Sequence, residues 1–415
     1  MQAINTARKS GKSMTLRWYV AHAGGRSGSG VRVPRREAPL NDAIRLPVEQ
    51  RCAEELEALR QNDRDPRPPG WALSPRAVER FVLGSPEPLE YEAPDGGTRR
   101  VTIPRKFYGH DVLVQRAIVT LASDRGLMLV GEPGTAKSYL SEHLAAAISG
   151  GSLLTIQGSA GLTEDQIKYA WNYAMLLAEG PSKRALVPAP LYLGVRDGRI
   201  VRFEEITRAP HEVQDTLLSV MSEKVLVVPE LPGDEGVLLA RPGFNVVATA
   251  NTRDRGVNEM SAALKRRFNF ETVPPVGEIE EEIRIVREQV SAMLRGGAAE
   301  GTELGDDVLE LLVTTFHEIR SGRTVDGVQV DRTSSVLSTA EAVSVGYDAA
   351  LFASFFGAGR VEPEHVVLHL PGTAVKDHPE DLAVLRNYWE VAVKPRASRE
   401  IGAWKAWWQA RKHLA

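Results

Sequence analysis

The chain has 415 residues, 43% of them hydrophobic and 25% charged, which is long enough for two or three domains and typical of globular proteins. The formal net charge of −3 provides no general attraction to nucleic acid or to an anionic membrane. The single cysteine excludes an internal disulfide and a cysteine-rich zinc site, and no apolar run is long enough to span a bilayer, so we expect a cytoplasmic protein.

The N-terminal segment is basic. Residues 1–36 contain no Asp or Glu, carry many Arg and Lys, and are otherwise rich in Gly and Ser. This composition predicts a disordered tail, which we place at 1–44. Three alternatives stay open: a transit peptide, a translation start at Met14, and contact with nucleic acid.

A small helical segment is predicted over 45–104. Apolar residues recur at helical spacing over 48–62, and Ser74 followed by Pro75 has the pattern of an N-cap and a first helical residue. The segment could serve structural packing or partner docking.

Strands and helices alternate from 105 to 277, which predicts an α/β fold with a parallel sheet flanked by helices. Its first motif lies within 126–142, where an apolar run ends at Gly131, a Gly/Pro loop follows, and a helix begins near Lys137. This order is that of a phosphate-binding loop. Backbone N–H groups and the helix dipole bind phosphates, Lys137 reaches the β- and γ-phosphates, and Ser138 ligates Mg²⁺.

The residue before this lysine is Ala136, where the usual loop has glycine. A methyl group is tolerated there if the residue keeps a negative φ, which we expect. Gly131 and Gly134 remain at the positions that need positive φ or close approach to phosphate.

Two adjacent carboxylates, Glu204 and Glu205, end the apolar segment 200–206, at the sheet edge where α/β proteins bind ligands. Beside a phosphate-binding loop, the first would support Mg²⁺ and the second would polarise the attacking water. On its own, the pair could be a solvated strand end. Arg202 interrupts a strand that should be buried on both faces, so we expect it to meet a carboxylate or a subunit boundary.

The next strand, 244–251, ends at Asn251, which could hydrogen-bond the attacking water or the γ-phosphate, or simply open a turn. Arg266 and Arg267 follow in a basic cluster. They are either part of a solvated charge run or an arginine donor to the nucleotide of a neighbouring subunit.

Two stretches interrupt the alternation. Residues 162–197 are predicted to include a helix over 171–177, and residues 224–241 are predicted to form a β-hairpin.

Helices are predicted for the remainder of the chain. A small helical domain over 278–371 would contain a last helix after Gly359 and four before it, at 279–293, 306–320, 333–345 and 348–356. The extension 372–415 is rich in Trp. On a helix over 398–413, Ile401, Trp404 and Trp408 share a face that either packs on the body or forms a docking patch.

Together these motifs resemble those of the AAA+ ATPases, and in detail those of the MoxR group in the helix-2-insert, dynein-related branch. The segment 131–138 resembles Walker A, and 248–251 (Ala-Thr-Ala-Asn) resembles sensor 1. The segment 203–210, Phe-Glu-Glu-Ile-Thr-Arg-Ala-Pro, resembles a Walker B motif that reads Ala-Asp-Glu-Ile-Asn-Arg-Ala-Pro in the family. The resemblance covers roughly 105–370.

The resemblance implies an ATPase with ATP and Mg²⁺ as cofactors. It implies catalytic roles for Lys137, Glu205, Asn251, the finger arginine Arg267 (or Arg266) and the sensor 2 arginine Arg332, which would open a lid helix. Ser138 and Glu204 would support the metal. The nucleotide would contact the loop and its surroundings, namely Tyr108, Gly109, Gly131, Glu132, Pro133, Gly134, Thr135, Ala136, Lys137, Ser138 and Tyr139.

The resemblance also implies a ring, usually a hexamer, with ATP between subunits and with 162–197 and 224–241 near the pore. The expected function is chaperone-like remodelling or maturation of a protein partner, with a separate von Willebrand factor A domain protein as a possible adaptor. A nucleic-acid motor of the same branch and a nucleotide-switched scaffold are the alternatives. The basic tail is the sole support for nucleic acid, and no membrane is expected.

Overall fold

A computed structural model of the chain describes residues 45–252, 258–376, 378–399 and 402–414. The tail predicted over 1–44 lies outside these ranges. Residues from Pro47 onward belong to one structural unit. No helix in the described ranges combines the length and apolar character that crossing a bilayer requires.

Strands and helices alternate in the first two thirds of the chain, and helices follow. The first part contains α1 (Val48–Arg51), α2 (Ala53–Asn62), α3 (Pro75–Leu83), β1 (Leu89–Glu92), β2 (Thr98–Val101), α4 (Asp111–Ala122), β3 (Gly126–Gly131), α5 (Lys137–Ser149), β4 (Thr155–Gln157), β5 (Tyr169–Trp171), α6 (Tyr173–Glu179), β6 (Leu186–Pro188), α7 (Pro190–Asp197), β7 (Ile200–Glu204), α8 (His211–Glu223), β8 (Val225–Val227), β9 (Val237–Leu239), β10 (Asn245–Asn251), α9 (Ala262–Lys265) and β11 (Phe268–Val273). The second contains α10 (Ile279–Leu294), α11 (Asp306–Ser321), α12 (Thr339–Phe356), α13 (Pro363–Ala374), α14 (Asp381–Tyr388), α15 (Lys394–Ser398) and α16 (Trp404–Gln409).

A five-stranded sheet lies at the centre of the α/β part. Its strand order is β11–β3–β10–β7–β4, and every neighbouring pair is parallel. Along β3, Leu127 and Leu129 enter the apolar core on one face, and Met128 enters the core on the other. Because both faces are covered, the strand side chains are almost continuously apolar. The predicted fold class, a parallel sheet flanked by helices, is confirmed.

The segment 45–104 is not purely helical, contrary to the prediction. It contains the antiparallel pair β1–β2, and the helix predicted over 48–62 is interrupted at Cys52. Ser74 caps α3 as expected, since its Oγ accepts from Ala77 N at 3.2 Å. Helices α1 to α3 share an apolar core with one face of the central sheet, so this segment packs on the α/β part.

The stretch 162–197 differs from the prediction. Trp171 ends β5 instead of starting a helix, and α6 bridges the antiparallel pair β5–β6. Helix α6 buries none of its side chains, and Tyr173 and Leu177 are 75% and 88% exposed. An apolar run at helical spacing is therefore presented to the surface here.

The hairpin predicted over 224–241 is confirmed as the antiparallel pair β8–β9. Glu230, in the connection between its strands, accepts from Tyr169 Oη at 2.9 Å and from Trp171 Nε1 at 3.4 Å. These bonds tie the hairpin to β5, so the two surface elements contact each other.

The helices after residue 278 enclose a separate apolar core. The two helices predicted over 333–345 and 348–356 are one helix, α12, which Ser338 begins in a capping box with Glu341. The sequence placed a boundary between 278–371 and 372–415, yet side chains from α10 to α16 contribute to the same core. We call 279–414 the lid.

Trp389 and Trp407 are almost fully buried in the lid and stack with ring centroids 5.5 Å apart. Trp404 is buried and Trp408 is half-buried, and both pack against the lid core, in agreement with the shared face that was predicted. Trp407, which the prediction left out, is fully buried in the same core. Ile401, assigned to that face, lies outside the described residues. The C-terminal helix packs on the body, which was the first of the two alternatives.

Candidate nucleotide-binding site

A cavity of about 440 Å³ opens at the carboxyl ends of β3, β7 and β10. Its lining includes most of the predicted contacts, namely Tyr108, Glu132, Pro133, Gly134, Thr135, Ala136, Lys137, Ser138, Tyr139, Glu205 and Asn251. Gly109 and Gly131 are not part of the lining. The first residues of α5 and of α12 both border the cavity, so two helix N-termini give it a positive potential that suits phosphates.

The loop between β3 and α5 adopts a strained conformation at Ala136. Its φ of 62° and ψ of 22° are left-handed, so the expected negative φ is wrong. A side chain costs about 1–2 kcal/mol in this conformation. Gly134 also has a positive φ, 77°, and a Cβ there would lie 2.2 Å from Ser338 Cβ of the lid. Gly134 is therefore required both by its conformation and by the approach of α12.

Lys137 is 6% exposed and folds over the loop. Its Nζ donates to Glu132 O at 2.6 Å and to Gly131 O at 3.2 Å. These carbonyls hold the ammonium group beside the cavity, where it can meet the β- and γ-phosphates of a nucleotide.

Glu204 is 4% exposed and accepts four hydrogen bonds. Its Oε2 accepts from Ser138 Oγ at 2.6 Å and Thr249 Oγ1 at 2.8 Å, and its Oε1 accepts from Ser141 Oγ at 2.7 Å and Arg202 Nη2 at 2.8 Å. Burial raises the pKa of Glu204, but the charge of Arg202 and the hydroxyl hydrogen bonds outweigh it, so the pKa lies below its usual value. Glu204 is therefore ionised at neutral pH.

Ser138 and Glu204 fit a magnesium site, because they present hydroxyl and carboxylate oxygens in contact with each other. In the described part of the chain, no group of three or more His, Cys, Asp or Glu side chains could hold a metal ion. Mg²⁺ is commonly held by one or two protein oxygens together with nucleotide phosphates and water. Ser138 and Glu204 suit that kind of binding.

Glu205 follows with a left-handed backbone, φ 52° and ψ 46°. Its N–H donates to Thr249 Oγ1 at 2.9 Å, and its Oε2 lies 3.1 Å from Arg208 Nε and 3.3 Å from Gln157 Nε2. A Cβ at Gly158 would lie 2.1 Å from Glu205 O, so a glycine there admits this turn. Backbone strain of this kind clusters at functional sites.

Asn251 ends β10 directly beside Gly131, its partner in the parallel register, and lines the cavity. Sequence reasoning missed Thr249 and Ser141. Both were detectable from spacing, since Thr249 shares a strand face with Asn251, and Ser141 lies one helical turn after Ser138.

Arg266 and Arg267 do not line this cavity. Arg267 O accepts from Gly126 N at the amino end of β3, about 16 Å from Gly131 at the usual rise per residue. Arg267 donates to Ser222 Oγ at 2.8 Å and to Ala263 O at 2.9 Å. Arg266 is exposed, and its side chain makes no hydrogen bond or ion pair with any residue that the structure describes.

Arg332 also lies outside the cavity and does not open a helix, since α12 begins at Thr339. It donates to Ser321 O at 2.5 Å and lines a neighbouring cavity of about 250 Å³. Arg320 borders both cavities and forms two hydrogen bonds, 2.7 and 3.0 Å, with the buried carboxylate of Glu282. Sequence spacing could not identify Arg320, because its partner is 38 residues away.

Two family models match the sequence. The AAA domain (dynein-related subfamily) matches 126–268, and the YehL-like AAA+ ATPase C-terminal domain matches 280–415. The protein YehL of Escherichia coli (strain K12) is 50% identical over 91% of this chain and 99% of that relative. Chaperone MoxR1 of Mycobacterium tuberculosis is 30% identical over 47% of this chain and 52% of its own length. NtrX from Brucella abortus in complex with ATP overlays 75% of this chain and 70% of that one, with 13% identity and a TM-score of 0.40.

Proposed function

We propose that the chain, which belongs to the AAA+ ATPase family of YehL, hydrolyses ATP to remodel a partner protein. The similarity to the chaperone MoxR1 over about half of each chain supports the remodelling part of the proposal. The observation that carries the proposal is the convergence of Lys137, Ser138, Glu205 and Asn251 on one cavity, with the ionised Glu204 behind Ser138. This set can bind a polyphosphate, support its metal and place a water.

Each residue has a role that follows from its position. Lys137 and the N-terminus of α5 bind the phosphates, and Mg²⁺, when bound near Ser138 and Glu204, would neutralise charge on them. Glu205 orients or deprotonates the attacking water, and Asn251, on the adjacent strand, helps to position it. Thr249 keeps both glutamates in place, because its hydroxyl accepts from Glu205 N and donates to Glu204.

A second subunit would complete this site. Arg266 and Arg267 lie at the opposite end of β3 from the phosphate-binding loop, so neither can reach the nucleotide of its own chain. In a ring, usually a hexamer in relatives, such an arginine can act on the nucleotide of a neighbour. We assign the finger to Arg267 from its place in the motif, with the untethered Arg266 as the second candidate.

The partner is proposed to be a protein. MoxR1, a relative over half its length, is named a chaperone. The exposed apolar side chains of α6, Tyr173 and Leu177, together with those of the β8–β9 hairpin, Val227 and Leu239, supply a surface that could engage a polypeptide. A von Willebrand factor A domain protein remains a candidate adaptor.

The proposal is tested by measuring ATP binding and phosphate release for the wild-type protein and Glu205→Gln. The variant should bind ATP as the wild type does and lose at least about 10²-fold in turnover, because the group that activates water is gone. Glu390→Gln, at an exposed ion pair in the lid, is the matched control and should keep full turnover.

Near-normal turnover in Glu205→Gln would contradict the assignment. A wild-type protein that binds ATP but does not turn it over would favour a nucleotide-switched scaffold. Strong, salt-sensitive stimulation by DNA would favour a nucleic-acid motor. For the remodelling step, Glu205→Gln held in ATP should retain a protein partner that Lys137→Ala does not retain.

A further inference from the structure

Arg202 lies in the middle of β7 with a side chain that is 11% exposed. A guanidinium group has five N–H donors, and burying it is costly unless they are satisfied. All five have acceptors here: Nε donates to Ser141 Oγ (3.0 Å), Nη1 to Ser152 O (3.2 Å) and Thr155 Oγ1 (3.2 Å), and Nη2 to Ser138 O (3.2 Å) and Glu204 Oε1 (2.8 Å). The group is therefore held rigidly, at full hydrogen-bonding capacity.

The position of Arg202 points it toward Glu204. Residues two apart on a strand face the same side, so Arg202 and Glu204 lie next to each other on β7. The Walker B motif that this segment resembles has Asp where this chain has Glu204. A glutamate carries one more methylene group and one more rotatable bond, so its carboxylate needs an additional restraint to keep one orientation.

The two oxygens of Glu204 are used differently. Oε1 accepts from Arg202 and Ser141, which lie on the inner side. Oε2 accepts from Ser138, the residue that follows Lys137 at the cavity, and from Thr249 on the neighbouring strand. Arg202 is the charged donor among these four. Without it, three hydroxyl hydrogen bonds remain, of which one is on Oε1, and the carboxylate would be held less firmly in the orientation that keeps Oε2 on Ser138. The arginine thus contributes the charge-assisted restraint that favours Oε2 on the metal side of the site.

We propose that Arg202 is a positioning residue for the nucleotide-bound metal, acting through Glu204: it fixes Oε1 so that Oε2 remains on Ser138. This inference rests on the proposed function, since it assumes that Mg²⁺ accompanies the bound nucleotide. It predicts that the arginine contributes to metal-dependent nucleotide binding and not to the metal-independent part, which Lys137 and the loop provide.

The test compares the dissociation constant of a fluorescent, non-hydrolysable ATP analogue in excess Mg²⁺ and in EDTA. For the wild type, Mg²⁺ should tighten binding. In Arg202→Met, the ratio of the dissociation constant in EDTA to that in Mg²⁺ should shrink about tenfold or more, which is the usual cost of losing a group that orients a metal ligand. The dissociation constant in EDTA should stay unchanged. A variant that was merely damaged would bind more weakly in both conditions.

Two further comparisons test whether Arg202 acts through Glu204. In the Glu204→Gln background, Arg202→Met should have no further effect on the ratio, because no carboxylate is left to orient. Arg396→Met is the matched control, since Arg396 is similarly buried, 9% exposed, and lies 2.7 Å from the buried Glu318 of the lid. It should lower the urea midpoint but keep the wild-type ratio.

An Arg202→Met ratio equal to that of the wild type would overturn the inference, as would an equally large effect of Arg202→Met in the Glu204→Gln background. If Arg202→Met alone fails to fold, the stability of the double variant Arg202→Met, Glu204→Gln tests whether the two residues act as a pair. Removing both charges should restore folding, and a double variant as unstable as the single one would overturn the pairing. A wild-type protein that binds the analogue equally with and without Mg²⁺ would overturn the proposed function together with this inference.

Discussion

At the scale of single residues, one hydroxyl links the two glutamates of the site. Thr249 Oγ1 accepts from the N–H of Glu205 and donates to Glu204 Oε2, across neighbouring strands β10 and β7. The carboxylate that would support the metal and the backbone that carries the proposed base therefore depend on the same side chain. Replacing Thr249 should therefore disturb both glutamates at once.

His143 gives a pH-dependent contribution to stability. It is 1% exposed, lies against the ring of Tyr139 at 4.1 Å between centroids, and donates Nδ1–H to Tyr139 O. Burial lowers its pKa to about 3. The hydrogen bond to Tyr139 O opposes this shift, and the charges of Arg51, Lys106 and Arg202 add to it. Below the ordinary pKa of about 6.5, the unfolded chain takes up a proton that the folded one does not, so stability is lost as the pH falls.

We expect this one group to remove about 2 kcal/mol of unfolding free energy between pH 7 and pH 5. Urea unfolding of His143→Gln, which keeps a donor for Tyr139 O but does not titrate, should show a pH dependence weaker by that amount. His110→Gln, at an exposed position before α4 where the side chain does not cap the helix, should keep the wild-type dependence. The same slope in His143→Gln and wild type would show that His143 is not buried as a neutral ring.

Residues fixed by local pattern were predictable, and those fixed by distant partners were not. Lys137, Ser138, Glu205 and Asn251 follow from motif spacing, and the structure brings them to one cavity. The expectation that Arg202 meets a carboxylate also holds. The left-handed φ of Ala136 was mispredicted, because the conformation is imposed by the loop as a whole and not by the alanine.

At the scale of elements, the predictions that failed are those that depend on which face of an element is buried. The sequence predicted one helix over 171–177 from its apolar spacing, yet α6 begins at Tyr173 and its apolar side chains face outward. Periodicity shows that a face is apolar but not what covers it. By contrast, the hairpin β8–β9 and the strand β10 carried turn and strand signals of their own and were predicted correctly.

Helix α12 shows how the lid reaches the nucleotide cavity. Ser338 caps this helix and also touches the position of Gly134 in the phosphate-binding loop. Thr339 and Ala340 of its first turn line the cavity, and Arg332, seven residues before Thr339, does not. The lid therefore meets the cavity with a helix N-terminus, and Arg320 from α11 is the arginine that accompanies it.

The C-terminal helix α16 is an integral part of the lid core. Trp407 is fully buried, stacks on Trp389, and accepts through its carbonyl from Trp389 Nε1 at 3.1 Å. Trp407→Ala should cost about 3–5 kcal/mol of unfolding free energy, because it opens a large cavity. Urea unfolding of the protein, followed by tryptophan fluorescence, measures this loss.

Trp408→Ala is the control for this substitution. Trp408 is half-buried and lies under the guanidinium of Arg411 at 4.0 Å and the ammonium of Lys394 at 5.4 Å. Each such contact is worth about 0.5–1 kcal/mol at an exposed site, so Trp408→Ala should cost clearly less than Trp407→Ala. Equal losses would mean that Trp408 contributes as much to the lid core as Trp407 does.

At the scale of the whole molecule, the cavity is shared by the α/β part and the lid. Tyr108 Oη donates to Glu288 Oε2 at 2.8 Å, which joins the start of the α/β part to α10 beside the cavity. A nucleotide bound there would contact both parts and could report its state to the lid. The boundary between these parts near 278 was predictable from the change of pattern, whereas the union of 278–371 with 372–415 was not, because it depends on packing between distant helices.

The length of β3 separates the proposed finger arginines from the phosphate-binding loop of the same chain. Arg267 is attached to the amino end of β3 and the phosphate-binding loop to its carboxyl end, with the length of the strand between them. Under the proposed function, one chain would provide the phosphate-binding half of one site and an arginine for the site of a neighbour. Hydrolysis by this protein should require assembly.

The most direct measurement is ATP turnover in equal mixtures of Lys137→Ala and Arg267→Ala subunits, each of which we expect to be inactive alone. Random assembly should pair an intact loop with an intact arginine at about a quarter of the interfaces, so the mixture should recover up to about a quarter of wild-type turnover. Recovery of ATP turnover in mixtures that contain Arg266→Ala instead of Arg267→Ala would assign the finger role to Arg266. Mixed assemblies that form but recover no turnover with either arginine variant would contradict a site shared between subunits.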